Sequence, residues 1–162
     1  MKLEGKKAIV TGGSRGIGRA IALLYAKEGA DVLVNYHSND TAAKETVAEI
    51  EKLGRKGVAV AADVASYTSA QNMVEECVKQ LGGVDIVVNN AGVSKPSMLL
   101  KMKEEDWDAI IDIHLKAAFN TTQAAGRHMK EQNSGRIINV ISTAGIFGTI
   151  GQINYASAKA GI

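Results

Sequence analysis

Five short apolar runs alternate along the chain with amphipathic stretches of helical period, and that alternation leaves few folds open. "KKAIVT" (6–11), "DVLVNY" (31–36), "GVAVAA" (57–62), "VDIVVNN" (84–90) and "GRIINVIS" (135–142) read as strands. Between them, "GRAIALLYAKEG" (18–29), "DTAAKETVAEIEKLG" (40–54), "SAQNMVEECVKQLG" (69–82) and a long segment over about 105–130 carry an apolar helical face. Gly29 and Gly54 stand where the first two helices should stop. Strands separated by helices cannot pair as hairpins, so the pattern predicts right-handed crossover units. The expected class is α/β, a doubly wound parallel sheet with helices on both faces. No repeat of 20–50 residues and no low-complexity segment interrupts it.

At 162 residues the chain can bury one real core, so a single domain over 1–162 is expected. A net charge of +2 gives no reason to expect nucleic acid or an anionic membrane as partner. Cys77 is the only cysteine, which excludes an intrachain disulfide and argues against a structural metal cluster. No apolar run approaches the length of a membrane span, about 18 residues. "MKLEGKKAIV" lacks the apolar core of a signal peptide, and a cytoplasmic protein is expected.

"TGGSRGIG" (11–18) lies between the first strand and the first helix. An open α/β sheet binds phosphate-bearing ligands at such a place, which makes a Rossmann-type, dinucleotide-binding sheet the expected form. Gly12, Gly16 and Gly18 let the backbone turn tightly and approach a ligand, and the helix N-terminus offers free N–H groups to a pyrophosphate. The spacing is neither the strict G-x-G-x-x-G nor a P-loop, because Arg19 and Ala20 follow Gly18 where Lys and Ser/Thr are required. A tight turn without a ligand is the plainer alternative. The end of the second strand reads Asn35, Tyr36, His37, Ser38, with no acid to bond a ribose 2′-hydroxyl. Arg15 is placed to pair with a 2′-phosphate, which favours NADP(H) over NAD(H). A solvated loop charge is the plainer alternative.

Four segments then stand in order: "TGGSRGIG", "NNAG" (89–92), Ser142 and "YASAK" (155–159). Together they resemble the short-chain dehydrogenase/reductase family, and the resemblance covers the whole chain. Within that family the chain looks most like bacterial 3-oxoacyl-(acyl carrier protein) reductases, especially in "GRIINVIS" and "GQINYASAKAGI". The resemblance implies NADP-dependent reduction of a 3-oxoacyl thioester. Related enzymes acting on other ketones, sugars or secondary alcohols share these segments. So the substrate is a small molecule or an acyl group on a carrier, and a catalytically inactive dinucleotide-binding fragment stands as an alternative of another class.

A free tyrosine is a poor acid–base near neutral pH, and an ammonium beside a phenol favours the phenolate. Tyr155 and Lys159 stand four apart, on one helical face. By resemblance Tyr155 is the proton donor, Ser142 bonds the substrate oxygen, and Lys159 also holds the nicotinamide ribose. The resemblance further assigns Ser14, Arg15 and Ile17 with the loop glycines, Asn89, Ala91 and Gly92 to the cofactor wall, and Asp63 and Val64 to the adenine pocket. Where the family has Asn in the long helix, "DIHLKAAFN" (112–120) carries His114. His114 could carry a proton, or be a spacer whose backbone carbonyl holds a relay water.

The family's chain continues past Tyr-x-x-x-K, with two more strands and a segment that closes over the substrate. The 162-residue chain is therefore expected to be a fragment, truncated after about five strands, association-prone and poorly active. A small five-stranded domain is the other reading. The parent is expected to be a homotetramer. Trp107 and Cys77 are expected to pack, Lys101, Lys103, Glu104 and Glu105 to face solvent, and His128 to lie exposed near the end of the long helix.

Overall fold

A computed structural model describes Met1–Ile162. Its strands are β1 (Lys7–Val10), β2 (Asp31–Tyr36), β3 (Gly57–Ala61), β4 (Ile86–Asn89) and β5 (Arg136–Asn139). All pair in parallel, in the order β3-β2-β1-β4-β5. The helices are α1 (Gly16–Lys27), α2 (Asp40–Lys52), α3 (Tyr67–Leu81), α4 (Glu104–Ile111), α5 (Ala117–Glu131), α6 (Ala144–Phe147) and α7 (Ile153–Gly161).

Period-two alternation builds two cores, one on each side of the sheet. Ile9, Leu33 and Val87 point to the face covered by α3 and α5, against Met73, Val74, Cys77, Ala124, Ala125 and Met129. Ala8, Val10, Val32, Val34 and Val88 point to the other face, against Ala22 and Ala26 of α1 and Ala43 and Ile50 of α2. Small residues on α1 and α2 let those helices lie close to the strands. Local signals fix several ends. Asn39 caps α2 by accepting from the Ala42 N–H at 3.0 Å, and α3 ends on Gly82 in the left-handed region, φ 85°.

The expected long helix is present but not continuous. Residues Asp112–Lys116 between α4 and α5 form a π-turn. Such a turn widens the helix locally and re-aims the side chains on it. The short helix α6 was not foreseen, and β5 stops at Asn139, three residues before Ser142. His128 corrects another expectation. It is half-buried, and its Nε2 lies 2.9 Å from Glu75 Oε1, which ties α5 to α3. Cys77 is fully buried, and burial pushes its thiol up to about 12, so it packs rather than reacts. No helix is long and apolar enough to cross a membrane.

Candidate active site

The strand order reverses at β1, which has β2 on one side and β4 on the other. Their following loops part there and leave a crevice beyond the strand ends, where sheets of this kind bind ligands. The crevice has a volume of about 600 Å³. Gly12, Ser14, Arg15, Gly16, Ile17 and Gly18 form its floor. The residues after β2 and β3, including Asp63 and Val64, make one wall, and Asn90–Val93 make the other.

Buried polar side chains hold the glycine loop in this shape. Thr11 Oγ1 accepts from the Asn90 and Ala91 N–H groups, both at 2.9 Å, and donates to the Val88 carbonyl at 3.2 Å. Asn90 Nδ2 donates back to the Thr11 carbonyl at 2.9 Å. Asn35 accepts from the Gly12 N–H at 3.2 Å and donates to the Ala62 carbonyl at 3.1 Å. The loop is thus tied to β2, β3 and β4 at once. A Cβ on Gly18 would lie 2.3 Å from the Gly12 carbonyl oxygen, so the first turn of α1 sits directly on the loop. Arg15 is exposed and makes no ion pair, leaving its guanidinium free at the mouth.

A second cluster lies at the edge of the Asn90–Val93 wall. Tyr155 and Lys159 project from α7, with the Lys159 Nζ 5.8 Å from the centre of the Tyr155 ring. Lys159 is buried, and desolvation holds its ammonium below the ordinary lysine value. Its Nζ donates to the Val140 carbonyl at 2.5 Å, which locks α7 to the end of β5. Asn154 is also fully buried and donates to the carbonyls of Lys95 and Asp106, at 3.1 and 3.2 Å. These bonds fix both ends of the turn that carries Tyr155. Ser142 lies two residues past Val140, and its Oγ accepts from the Ala144 N–H at 3.2 Å at the start of α6.

His114 joins the two clusters. It stands in the π-turn, buried, with its ring edge-on to Tyr155 at 5.1 Å. A Cβ on Gly92 would lie 2.0 Å from its Cε1, so the imidazole fills the space that glycine leaves. Its Nε2 is 2.8 Å from the Val93 carbonyl, which can only accept, so Nε2 carries a hydrogen. Nδ1 is buried without a partner. Burial holds the imidazole below its ordinary 6.5, the Val93 bond opposes that, and the Lys159 charge adds to it. His114 is therefore neutral near pH 7. Its folded-state value is below that of the unfolded chain. The corresponding stability is present above about 6.5 and is lost as pH falls toward the folded value. His114→Asn is expected to flatten the acid side of the stability curve between pH 7 and 5. Urea titrations of both proteins across that range check this, and parallel curves would refute it.

Of the residues singled out from sequence, the structure brings the glycine loop, Asp63, Val64, Ala91 and Gly92 to one crevice. It brings Tyr155, Lys159 and His114 together beside it. Asn89 sits elsewhere. Its side chain bonds Thr121 and Asn139, and it lines a void of about 10 Å³ with Lys159 and His114. Thr11, Asn35, Asn90 and Asn154 carry the site's geometry and were not assigned roles from sequence. The available signal was a polar residue ending or interrupting an apolar run, as in "AIVT" and "LVNY".

The model of the short chain dehydrogenase family matches residues 6–162. The chain belongs to the short-chain dehydrogenase family. A 3-oxoacyl-[acyl-carrier-protein] reductase FabG of Staphylococcus epidermidis RP62A is 46% identical over 157 residues, 97% of this chain and 64% of the relative. A 3-oxoacyl-[acyl-carrier-protein] reductase of Synechocystis is 45% identical over 160 residues, 99% of this chain and 65% of the relative. Among solved structures, a short chain dehydrogenase from Mycobacterium avium superposes with a TM-score of 0.93 at 39% identity, over 99% of this chain and 60% of that one. One from Sinorhizobium meliloti 1021, described as a short-chain alcohol dehydrogenase, reaches 0.95 at 40% identity, with 99% and 63% covered. The chain thus spans less than two thirds of the length of these relatives. Family membership accounts for the parallel sheet and for a crevice at the switch point beside β1.

Proposed function

We propose that the whole protein reduces 3-oxoacyl thioesters, carried on an acyl carrier protein, to 3-hydroxyacyl thioesters with NADPH in the cytoplasm. The observation that carries this reading is Tyr155 beside a buried Lys159, at the edge of the wall that the crevice shares with Gly92 and Val93. The names of the Staphylococcus and Synechocystis relatives support the substrate class.

The crevice suits a dinucleotide. Its floor is backbone, Gly18 packs directly against the Gly12 carbonyl beneath it, and the start of α1 faces it with free N–H groups. Arg15 would take a 2′-phosphate, and Asp63 and Val64 would border the adenine. A nicotinamide bound there supplies the hydride that reduces the ketone carbon. Tyr155 gives the phenolic proton to the carbonyl oxygen as charge builds on it. The Lys159 ammonium, held by Val140, steadies the phenolate that results and would bond the ribose hydroxyls of a bound nicotinamide dinucleotide. Ser142 donates to the same oxygen once its hydroxyl turns from Ala144 toward substrate. His114 holds the wall in place as a neutral ring, and solvent returns the proton to Tyr155.

NADPH oxidation with a short 3-oxoacyl thioester, set beside simple ketones, sugars and secondary alcohols, tests the reading. A higher kcat/KM for a sugar or alcohol would overturn the substrate class. Tight dinucleotide binding with no turnover on any of them would overturn the enzyme reading. Arg15→Ala is expected to weaken NADPH binding by roughly 1–3 kcal/mol, the range for a charge-assisted bond, and NADH binding far less. Equal losses for the two cofactors, measured by titration, would remove Arg15 from the 2′-phosphate.

A further inference from the structure

We infer that Asn120, on α5, is a positioning residue that sets the adenine wall of the crevice without touching the cofactor; this rests on the dinucleotide reading above.

Asn120 is 1% exposed. Its Nδ2 donates to two successive backbone carbonyls, Val64 at 3.0 Å and Ala65 at 3.1 Å. Both carbonyls lie in the turn between β3 and α3, outside any strand ladder. The other side of the turn closes on itself. Asp63 Oδ1 accepts from the Ala65 N–H at 2.9 Å, and the Ser69 hydroxyl accepts from the Asp63 N–H at 3.0 Å. Asp63 and Val64 line the crevice. Asn120 therefore grips the back of the turn whose front faces the ligand.

The use of an amide here is informative. Asn120 Oδ1 is buried without a partner. An apolar side chain would pack the same space without stranding an oxygen, and burying an unpaired amide oxygen is unfavourable. Only the two donated bonds offset that cost. Their effect falls on the turn, since carbonyls that lose a buried donor will rotate to find water. His114, in the π-turn that precedes α5, bonds Val93 on the opposite side of the crevice. Asn120 is the brace on the adenine side.

The test uses the whole protein and two ligands, adenosine 2′,5′-bisphosphate and NADPH, titrated by calorimetry. Asn120→Leu is expected to weaken the bisphosphate about tenfold and NADPH by a similar factor, as for loss of a buried hydrogen-bonding arrangement. Amide exchange at Ala65 and Ser66 is expected to speed up in the same variant. Leu81→Ala, at the far end of α3, serves as a control for general destabilisation and should leave bisphosphate affinity within twofold. Asn120→Ser gives the same reading if leucine is not accommodated. Unchanged affinity in both Asn120 variants, or an equal loss in Leu81→Ala, would overturn the inference while the cofactor reading stands. Failure of the wild type to bind either ligand would instead overturn the dinucleotide reading, and this inference with it.

Discussion

Replacing Tyr155 with phenylalanine in the whole protein is expected to cut ketone reduction about a thousandfold, within the range that a positioned general acid supplies. NADPH affinity should change by no more than a few-fold. The ring would remain, so the edge-on contact with His114 at 5.1 Å and the packing of α7 survive. Asn154 would still bind Lys95 and Asp106, and Lys159 would still bind Val140. Only the phenolic proton is lost. No other side chain is placed to replace it. Ser142 is far too weak an acid at neutral pH. His114 is neutral, and its one hydrogen-bearing nitrogen is committed to Val93. Single-turnover absorbance at several pH values would read the loss directly. Turnover within tenfold of wild type would show that a different acid acts. A profile that then followed the titration of an imidazole would point to His114.

How much of this was legible beforehand differs between backbone and side chains. All five strands and α1, α2, α3 and α7 could be placed because buried strands and amphipathic helices leave a local periodic record. The glycine loop was legible because its position between β1 and α1 is itself local. Tyr155 and Lys159 could be paired because four residues span one helical turn. The ties between elements left no such record. That Asn35 would reach Gly12, that Asn120 would grip Val64, and that Asn89 would turn toward Thr121 depend on which strands lie side by side. The π-turn at Asp112–Lys116 was invisible for a related reason. A π-turn and an α-helix share nearly the same sequence preferences, and the choice here accompanies the seating of His114 against Gly92 and Tyr155. His128 failed as a surface residue because its pairing with Glu75 needs α3 and α5 side by side.

Two glycines of one loop are glycine for different reasons. Gly16 has φ 54°, in the left-handed region, and nothing lies within 4 Å of the place a Cβ would take. A side chain there meets backbone strain alone, about 1–2 kcal/mol, and asparagine tolerates it best. Gly18 has an ordinary φ but no room. Its Cβ would lie 2.3 Å from the Gly12 carbonyl oxygen and 2.6 Å from Asn90 Nδ2. The nearer atom is backbone, so it can yield only if the loop moves. Gly12 is held in turn by Asn35, and Asn90 by Thr11, so movement breaks that set of bonds. Displaced N–H groups no longer face a pyrophosphate. Loss of two charge-assisted bonds is worth at least about 3 kcal/mol, or roughly a hundredfold in affinity. Gly18→Ala is therefore expected to lose about a hundredfold or more in NADPH affinity, and Gly16→Asn only a few-fold. Fluorescence titration of NADPH against both variants would measure the ordering, with circular dichroism to show that the sheet is intact. A Gly18→Ala protein that binds NADPH like the wild type would mean that the loop relaxes without cost. The crevice floor would then not be the rigid phosphate cradle that the reading of this site requires.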